Sequence, residues 1–329
     1  MLLSEKLFTT REKALEMPNV VYHYCSMTSF LAILETSSLR LSNITKSNDP
    51  TEITNVIPVL KDVTKNVLTD YNNLISTPYQ FRDDTISKLV DRFFEDLSKN
   101  FYAICFSEKR DLLSQWDRYD DNGKGVALGF NTRHFVKLQA ETRSQYIFGK
   151  IIYDQNMLAN SIEFFLRNEI DGKWKSCDDI HNVNLIENVI NNLVCTILQF
   201  SVLFKDGFFS EEAEWRLVYN PLGRIRRLGY ASAYHDRLME TNQYRLEQSG
   251  FIRNTYQFLV KGSSISSYVD LSFEPIRDAL IQEIIIGPKS TLQPNDKDLQ
   301  MFLALHGYRL SKLAIEGKLI LSKSDRPFR

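Results

Sequence analysis

The stretch Phe208-Phe209-Ser210-Glu211-Glu212-Ala213-Glu214-Trp215-Arg216-Leu217-Val218-Tyr219 constrains the fold of this chain more than any other. As a β-strand, its period of two places Glu212, Glu214 and Arg216 on one face and Ala213, Trp215, Leu217 and Tyr219 on the other. Carboxylates are poor strand formers, and two of them beside a guanidinium repel, titrate or pair unless something uses them. The apolar face needs a core to cover it. The charged face is either a solvated Arg–Glu pair or a site, and the choice turns on the residues that accompany it.

With 329 residues, 43% of them hydrophobic, the chain can bury a large core. Lys plus Arg is 40 and Asp plus Glu is 41, so a net charge of -1 gives no global attraction to nucleic acid or acidic membranes. Any such contact needs a local patch. Arg224, Arg226 and Arg227 are a candidate, although three basic residues in a turn usually form a solvated loop. No apolar run reaches the ~20 residues that span a bilayer. The start, Met1-Leu2-Leu3-Ser4-Glu5-Lys6, lacks a signal peptide's apolar core, so the expectation is a cytoplasmic protein with no membrane contact. Cys25, Cys105, Cys177 and Cys195 are too scattered for a disulfide scaffold and read as reduced, small core residues. Cys177 and His181 lie four apart, with Cys195 as an imaginable third ligand. Zinc would lack its fourth.

Along the chain, a polar helical start runs to about Pro18, and Val20 to Cys25 reads as a strand. Ser26 or Thr28 caps a helix to about Thr36, and Leu39 to Asn43 is a short strand. Asn48-Asp49-Pro50-Thr51-Glu52 is a turn opening a helical region from about 52 to 100. Strands follow over Phe101–Ser107 and Gly125–Phe130, with a short helix or turn at Asp111–Trp116 between them and Asn122-Gly123 as the turn into the second. A strand near 147–153 leads into helices near 156–169 and 182–204. The acidic strand comes next, then a helical piece near 233–248 and strands near 252–260, 266–273 and 283–288. A helix over 293–305 precedes short strands from Tyr308 to Ile315 and Leu319 to Leu321. Clustered strands separated by helical blocks predict an α+β fold, taken as one domain over 1–329 with helical insertions at about 55–100 and 156–204.

Several familiar machines are missing from the sequence: a Gly-x-Ser-x-Gly elbow, a phosphate loop ending in Gly-Lys-Ser/Thr, and His-Glu-x-x-His. His23 stands out because it interrupts an apolar strand, where an imidazole needs a hydrogen-bond partner. A satisfied core histidine and a functional one both fit that position.

The ordered series Tyr22-His23-Tyr24, Asn48-Asp49-Pro50-Thr51-Glu52, Cys105-Phe106-Ser107, Gln115-Trp116, Glu212-x-Glu214-Trp215-Arg216 and Ile285-Ile286-Gly287-Pro288 resembles an uncharacterised bacterial family built on a domain of unknown function. That family's association with mobile-element and anti-phage genes implies a toxin or defence role. More remotely, the layout resembles the ADP-ribosyltransferase superfamily of the His-Tyr-Glu type, with His23 and Glu214 matching the first and last positions. Ser107 or Tyr119 fills the middle one.

The resemblance implies a split, twisted sheet and NAD as substrate, with a protein or nucleic acid as acceptor and a restraining antitoxin or defence-system protein as a further partner. Glu214 would stabilise the oxocarbenium-like ribose and Glu212 would orient or deprotonate the acceptor. His23 would bind the adenine-side ribose. Trp116 or a nearby tyrosine such as Tyr24 or Tyr119 would stack on nicotinamide, and Arg216 or Arg40 would meet the pyrophosphate. Ala103, Cys105 and Ser107 would leave a small-residue face for the cofactor. Two alternatives stand beside this reading. One is a Mg²⁺-dependent phosphodiester hydrolase using His23, Asp49, Glu52, Glu212 and Glu214. The other is a binding or sensor module in which the Glu-Trp-Arg strand is only structural.

Overall fold

The β-branched and aromatic runs of the sequence assemble into a single forked sheet. The computed structural model describes residues 17–46, 54–74, 87–88, 90–91, 101–119, 122–142, 145–174, 201–220, 246–311 and 318–327, and their fold is α+β. The strands are β1 (Val20–Cys25), β2 (Ser38–Asn43), β3 (Tyr102–Ser107), β4 (Val126–Asn131), β5 (Tyr146–Lys150), β6 (Glu214–Tyr219), β7 (Ile252–Arg253), β8 (Gln257–Lys261), β9 (Ser264–Ser272), β10 (Ile281–Ile286) and β11 (Ile320–Lys323). The expected start to Pro18, the Asn48–Glu52 turn, the basic turn at Arg224–Arg227, most of the helices near 182–204 and 233–248, and the Cys177, His181 and Cys195 group fall wholly or mainly outside the described residues.

The chain divides into two compact units. One comprises Met1–Phe8, Asn43–Phe101 and Ile151–Ser210, which include the two regions expected as helical insertions. Its helices Val56–Leu74 and Gln155–Trp174 pack on each other, and Arg167 reaches Asp70 between them at 2.7 Å. The other comprises Thr9–Ser42, Tyr102–Lys150 and Glu211–Arg329 and carries the sheet.

Local chemistry sets the element boundaries in this second unit. The Ser26 side chain accepts from the Ser29 amide at 3.2 Å and starts the helix Met27–Thr36, which ends at Ser37 in the left-handed region (φ 45°). Asn122 and Gly123 both have positive φ, 56° and 81°, and form the turn before β4. Asn131 caps a further helix, Thr132–Glu141, that was not expected from the sequence. The helix expected over 293–305 is shorter, Lys297–Leu305, because Asp296 supplies its cap by accepting from the amides of Asp298 and Leu299. The strand expected from Tyr308 reduces, among the described residues, to one bridge between Leu310 and Leu319.

Strand order across the sheet is β11-β10-β4-β1-β3-β2-β9-β7, with β6 also on β3, β5 on β6 and β8 on β9. A strand has two edges, yet β3 has three neighbours. β6 pairs along its whole length, from Tyr102↔Tyr219 to Ser107↔Glu214. β1 and β2 therefore share the other edge, and β1 touches it through the single pair Tyr22↔Ser107. Beyond that pair β1 and β3 part, which makes the fork.

Alternation then sorts the side chains. One face carries Val21, Phe106, Leu128, Phe130, Trp215, Leu217 and Ile284 into the main core, against Phe30 and Leu34 of Met27–Thr36, Phe135 and Leu138 of Thr132–Glu141, and Leu299 and Leu303 of Lys297–Leu305. The other face carries a smaller cluster of Tyr22, Tyr24, Ala127 and Ile285 covered by Trp116.

Candidate functional site

On the second face, cross-strand pairing aligns Glu283, Gly129, Tyr22, Ser107 and Glu214 in one row across five strands. A side chain at residue 129 would separate its neighbours: a Cβ there would lie 3.0 Å from Val20, 3.1 Å from Tyr22 and 3.2 Å from Glu283. With glycine in place, Tyr22 donates to Glu283 at 3.1 Å. Glu283 also receives Nε of Arg110 at 3.0 Å. Burial, reinforced by the Glu283 carboxylate, pushes the Tyr22 hydroxyl well above the usual phenol range.

At the other end of the row, β6 begins at Glu214 rather than at Glu212. Glu212 closes a 3-10 turn, Gly207–Glu212, and Ala213 sits at φ 43° between the two acids. The expectation of Glu212, Glu214 and Arg216 on one strand face is thereby corrected: only Glu214 and Arg216 share it. Glu214 is 4% exposed and Arg216 1%, and Nε of Arg216 donates to Glu214 at 2.6 Å while Nη2 reaches the second oxygen at 3.3 Å. Arg216 lies opposite Cys105 on β3 and Gly149 on β5, two small residues that leave room for the guanidinium. Cys105 is exposed, which corrects its reading as a core cysteine and opens this face to solvent beside the pair; Cys25 is buried as expected.

Glu212 is buried too, but holds different partners. Arg118 donates to it at 2.9 Å and the Tyr119 hydroxyl at 3.3 Å. The Ser107 hydroxyl donates to the Glu212 carbonyl at 2.7 Å, tying the end of β3 to the turn before β6. Next to this knot, Glu108 receives Lys150 at 2.9 Å and the Trp215 indole N–H at 3.2 Å. Burial pushes its carboxyl up, but those bonds outweigh it and hold the group below the usual range.

His23 lies at the fork itself. Its Nδ1 is 2.9 Å from the carbonyl oxygen of Cys105 on β3, just past the pair where β1 departs. A carbonyl only accepts, so Nδ1 carries the proton and the neutral ring keeps its lone pair on Nε2. Burial lowers its pKa, and the Cys105 bond only partly opposes that. The imidazole meets the Phe106 ring edge-on at 6.0 Å, on the face opposite Glu214 by alternation.

The remaining expected site residues divide. Tyr119 is 43% exposed beside Glu212 and remains able to meet a ligand. Tyr24 is buried, donates to the Lys109 carbonyl at 2.7 Å and accepts from the Leu112 amide. Trp116 is fully buried against Tyr24, with its indole N–H on Asp111 at 2.6 Å, so neither ring offers a face for stacking. Arg216 is likewise enclosed with Glu214 and does not reach outward for a pyrophosphate. Arg40 is exposed on β2, near Asp270 at 3.4 Å and over the Tyr268 ring. Arg110, Arg118, Glu108 and Glu283 were missed as site residues. Their pairings span 173 residues for Arg110–Glu283 and 94 for Arg118–Glu212, a range at which no local pattern signals contact.

Fold and site together define an α+β protein whose sheet forks beside two buried carboxylates, each held by its own arginine. Residues 115–217, from the Trp116 helix to the middle of β6, match the model of a protein family of unknown function, DUF2971. No curated protein and no solved structure matches the chain.

Proposed function

We propose that the protein transfers ADP-ribose from NAD to a macromolecular acceptor at the fork between β1 and β3. The observation that carries this reading is adjacency. The strand bearing His23, the strand ending in Ser107 and the strand beginning at Glu214 are far apart in sequence yet consecutive in the sheet, and Tyr22, Ser107 and Glu214 fall in one row. The likeness to ADP-ribosyltransferases assigns chemistry to His23, to Ser107 or Tyr119, and to Glu214; His23 is the neighbour of Tyr22 on β1 and faces the other side of the sheet.

Breaking the bond between nicotinamide and ribose builds positive charge on the sugar, and a fixed carboxylate stabilises it. Glu214 is that carboxylate, oriented by Arg216. Glu212, on the turn two residues earlier and steadied by Arg118, serves the acceptor. Tyr119 is the aromatic side chain still exposed beside the acids, whereas His23 faces the other side of the sheet and holds the Cys105 carbonyl at the fork. Exposed Cys105 marks where solvent, and hence substrate, reaches the face. The acceptor is a protein or nucleic acid, and the setting is a toxin or anti-phage effector held in check by a partner protein.

A second reading is favoured by the near-complete burial of Glu214 and Arg216: a binding module in which the pair only supports the strand. The metal-hydrolase alternative draws no such support. Asp49 and Glu52 lie outside the described residues, and no group of three metal-binding side chains gathers among those described.

One experiment separates transferase from module. Purified protein is incubated with NAD labelled in the ADP-ribose moiety and a cell extract, beside Glu214→Gln. The expected result is label on protein or nucleic acid, falling about a hundredfold or more in the variant while its unfolding transition stays cooperative. An active Glu214→Gln protein, or a wild type that moves no label, rejects the transferase.

A further inference from the structure

The far end of β6 presents a second polar cluster, about 17 Å from Glu214 at the usual rise of a strand. Tyr219 ends β6 there, between Tyr102 of β3 and Tyr146 of β5. The Tyr146 and Tyr219 rings stack at 4.8 Å, and Tyr102 contacts Tyr256 at 5.5 Å. Arg253 of β7 lies over the Tyr219 ring at 5.0 Å and donates to its hydroxyl.

Counting donors and acceptors exposes an imbalance. Tyr146 is fully buried, and its hydroxyl has no hydrogen-bond partner. The Tyr219 oxygen already accepts from Arg253, so its own proton needs an acceptor as well. Arg253 has no carboxylate partner among the described residues, and the guanidinium is only partly buried. Burial pushes the Tyr146 hydroxyl well above the usual phenol range, and the Arg253 charge opposes that. Two hydroxyl protons and a cationic fork therefore converge with no anion among the described residues to receive them. A buried donor without an acceptor is rare in native proteins, and a built-in carboxylate would have resolved it. The rings supply the other half of a recognition surface, since Tyr256 is 45% exposed at the opening and aromatic faces stack on bases of any identity.

We propose that this end of the sheet binds the phosphate of a nucleotide: Arg253 and the Tyr146 and Tyr219 hydroxyls take the phosphate oxygens, and Tyr256 takes the base. A guanidinium fork matches phosphate geometry better than a single lysine would, and the hydroxyls complete the shell. The nucleotide is either free or part of a nucleic acid. The site is separate from the Glu214 row and does not depend on what that row does.

The test is calorimetric titration of the full chain with AMP, adenosine, inorganic phosphate and a 5′-phosphorylated oligonucleotide. AMP or the oligonucleotide is expected to bind at least tenfold more tightly than adenosine or phosphate alone. Tyr146→Phe, which removes only the unpartnered hydroxyl, and Arg253→Gln are each expected to weaken that binding at least tenfold. Tyr146→Phe should melt no lower than the wild type, so it decides the matter even where Arg253→Gln fails to fold. Preference for AMP assigns the site to a free nucleotide and preference for the oligonucleotide to nucleic acid. Unchanged binding in Tyr146→Phe, equal binding of adenosine, or no binding of either phosphorylated probe overturns the proposal.

Discussion

Removing one partner of the Glu214–Arg216 pair should cost far more than removing both. The two side chains are 5% and 2% exposed and meet at 2.6 Å, so each is largely desolvated and depends on the other's charge. A pair such as Arg40–Asp270, 52% and 16% exposed at 3.4 Å, contributes about 0–1 kcal/mol at most. For Glu214 and Arg216 the governing quantity is the penalty of leaving one charge buried and unmatched, about 3–5 kcal/mol. Arg216→Met takes this arginine from the buried carboxylate, and Glu214→Leu takes this carboxylate from the buried guanidinium. The double variant removes both charges and should lose less stability than either single one, so the coupling should be at least as large as the costlier single loss, about 3–5 kcal/mol. Urea unfolding followed by tryptophan fluorescence reports on this strand directly, because Trp215 lies between the two residues. Single variants that each cost under about 1 kcal/mol, or a double variant that costs the sum of the singles, would refute the account of the pair as desolvated and coupled.

Other perturbations probe other parts of the row. Gly129→Ala forces a Cβ into contacts of 3.0–3.2 Å with Val20, Tyr22 and Glu283; the expected cost is about 1–3 kcal/mol, read as a lowered urea midpoint. His23 has a folded pKa below its ordinary 6.5, so between the two values the unfolded chain binds more protons than the folded one. Its contribution is therefore complete above 6.5 and is lost as pH falls towards the folded value. The urea midpoint of the wild type should drop between pH 7.5 and 5.5 by more than that of His23→Asn. Arg118→Gln loosens Glu212 without touching Glu214. Under the proposed transfer, labelling of the acceptor should fall several-fold or more while hydrolysis of NAD to free ADP-ribose persists, and an equal loss of both would place Arg118 elsewhere in the reaction.

The central strands were legible because their signals are local. Val20 to Cys25, Tyr102 to Ser107 and Ile281 to Ile286 are rich in β-branched or aromatic residues, and Ser26 and Asn122-Gly123 carry the chemistry of a cap and a turn. The helix Thr132–Glu141 is equally local in origin, with Asn131 as its cap and Phe135 and Leu138 three apart, but those two apolar residues make a short stripe that a loop between two strands would also allow. Glu212 was misplaced for a different reason. Its separation from Glu214 depends on a positive φ at Ala213, and alanine gives no warning of that conformation. For the candidate site, residue identity at His23, Ser107 and Glu214 suggested a constellation, but exposure could not be read. Tyr24 and Trp116 look like ligand platforms in sequence and are packed together in the structure, because their accessibility depends on Lys109, Leu112 and Asp111 folding over them.

The position of β6 bears on how the molecule is made. It occupies the slot between β3 and β5, both of which leave the ribosome well before it does. Until Glu214 to Tyr219 emerge, those two earlier strands present bare backbone edges and the aromatic row of Phe106 and Phe148 has no Trp215 to close on. Such late, long-range insertion slows folding and leaves nascent chains prone to clumping. Synthesis of this protein should thus depend heavily on chaperones, and chains stopped short of residue 219 should collect in the insoluble fraction.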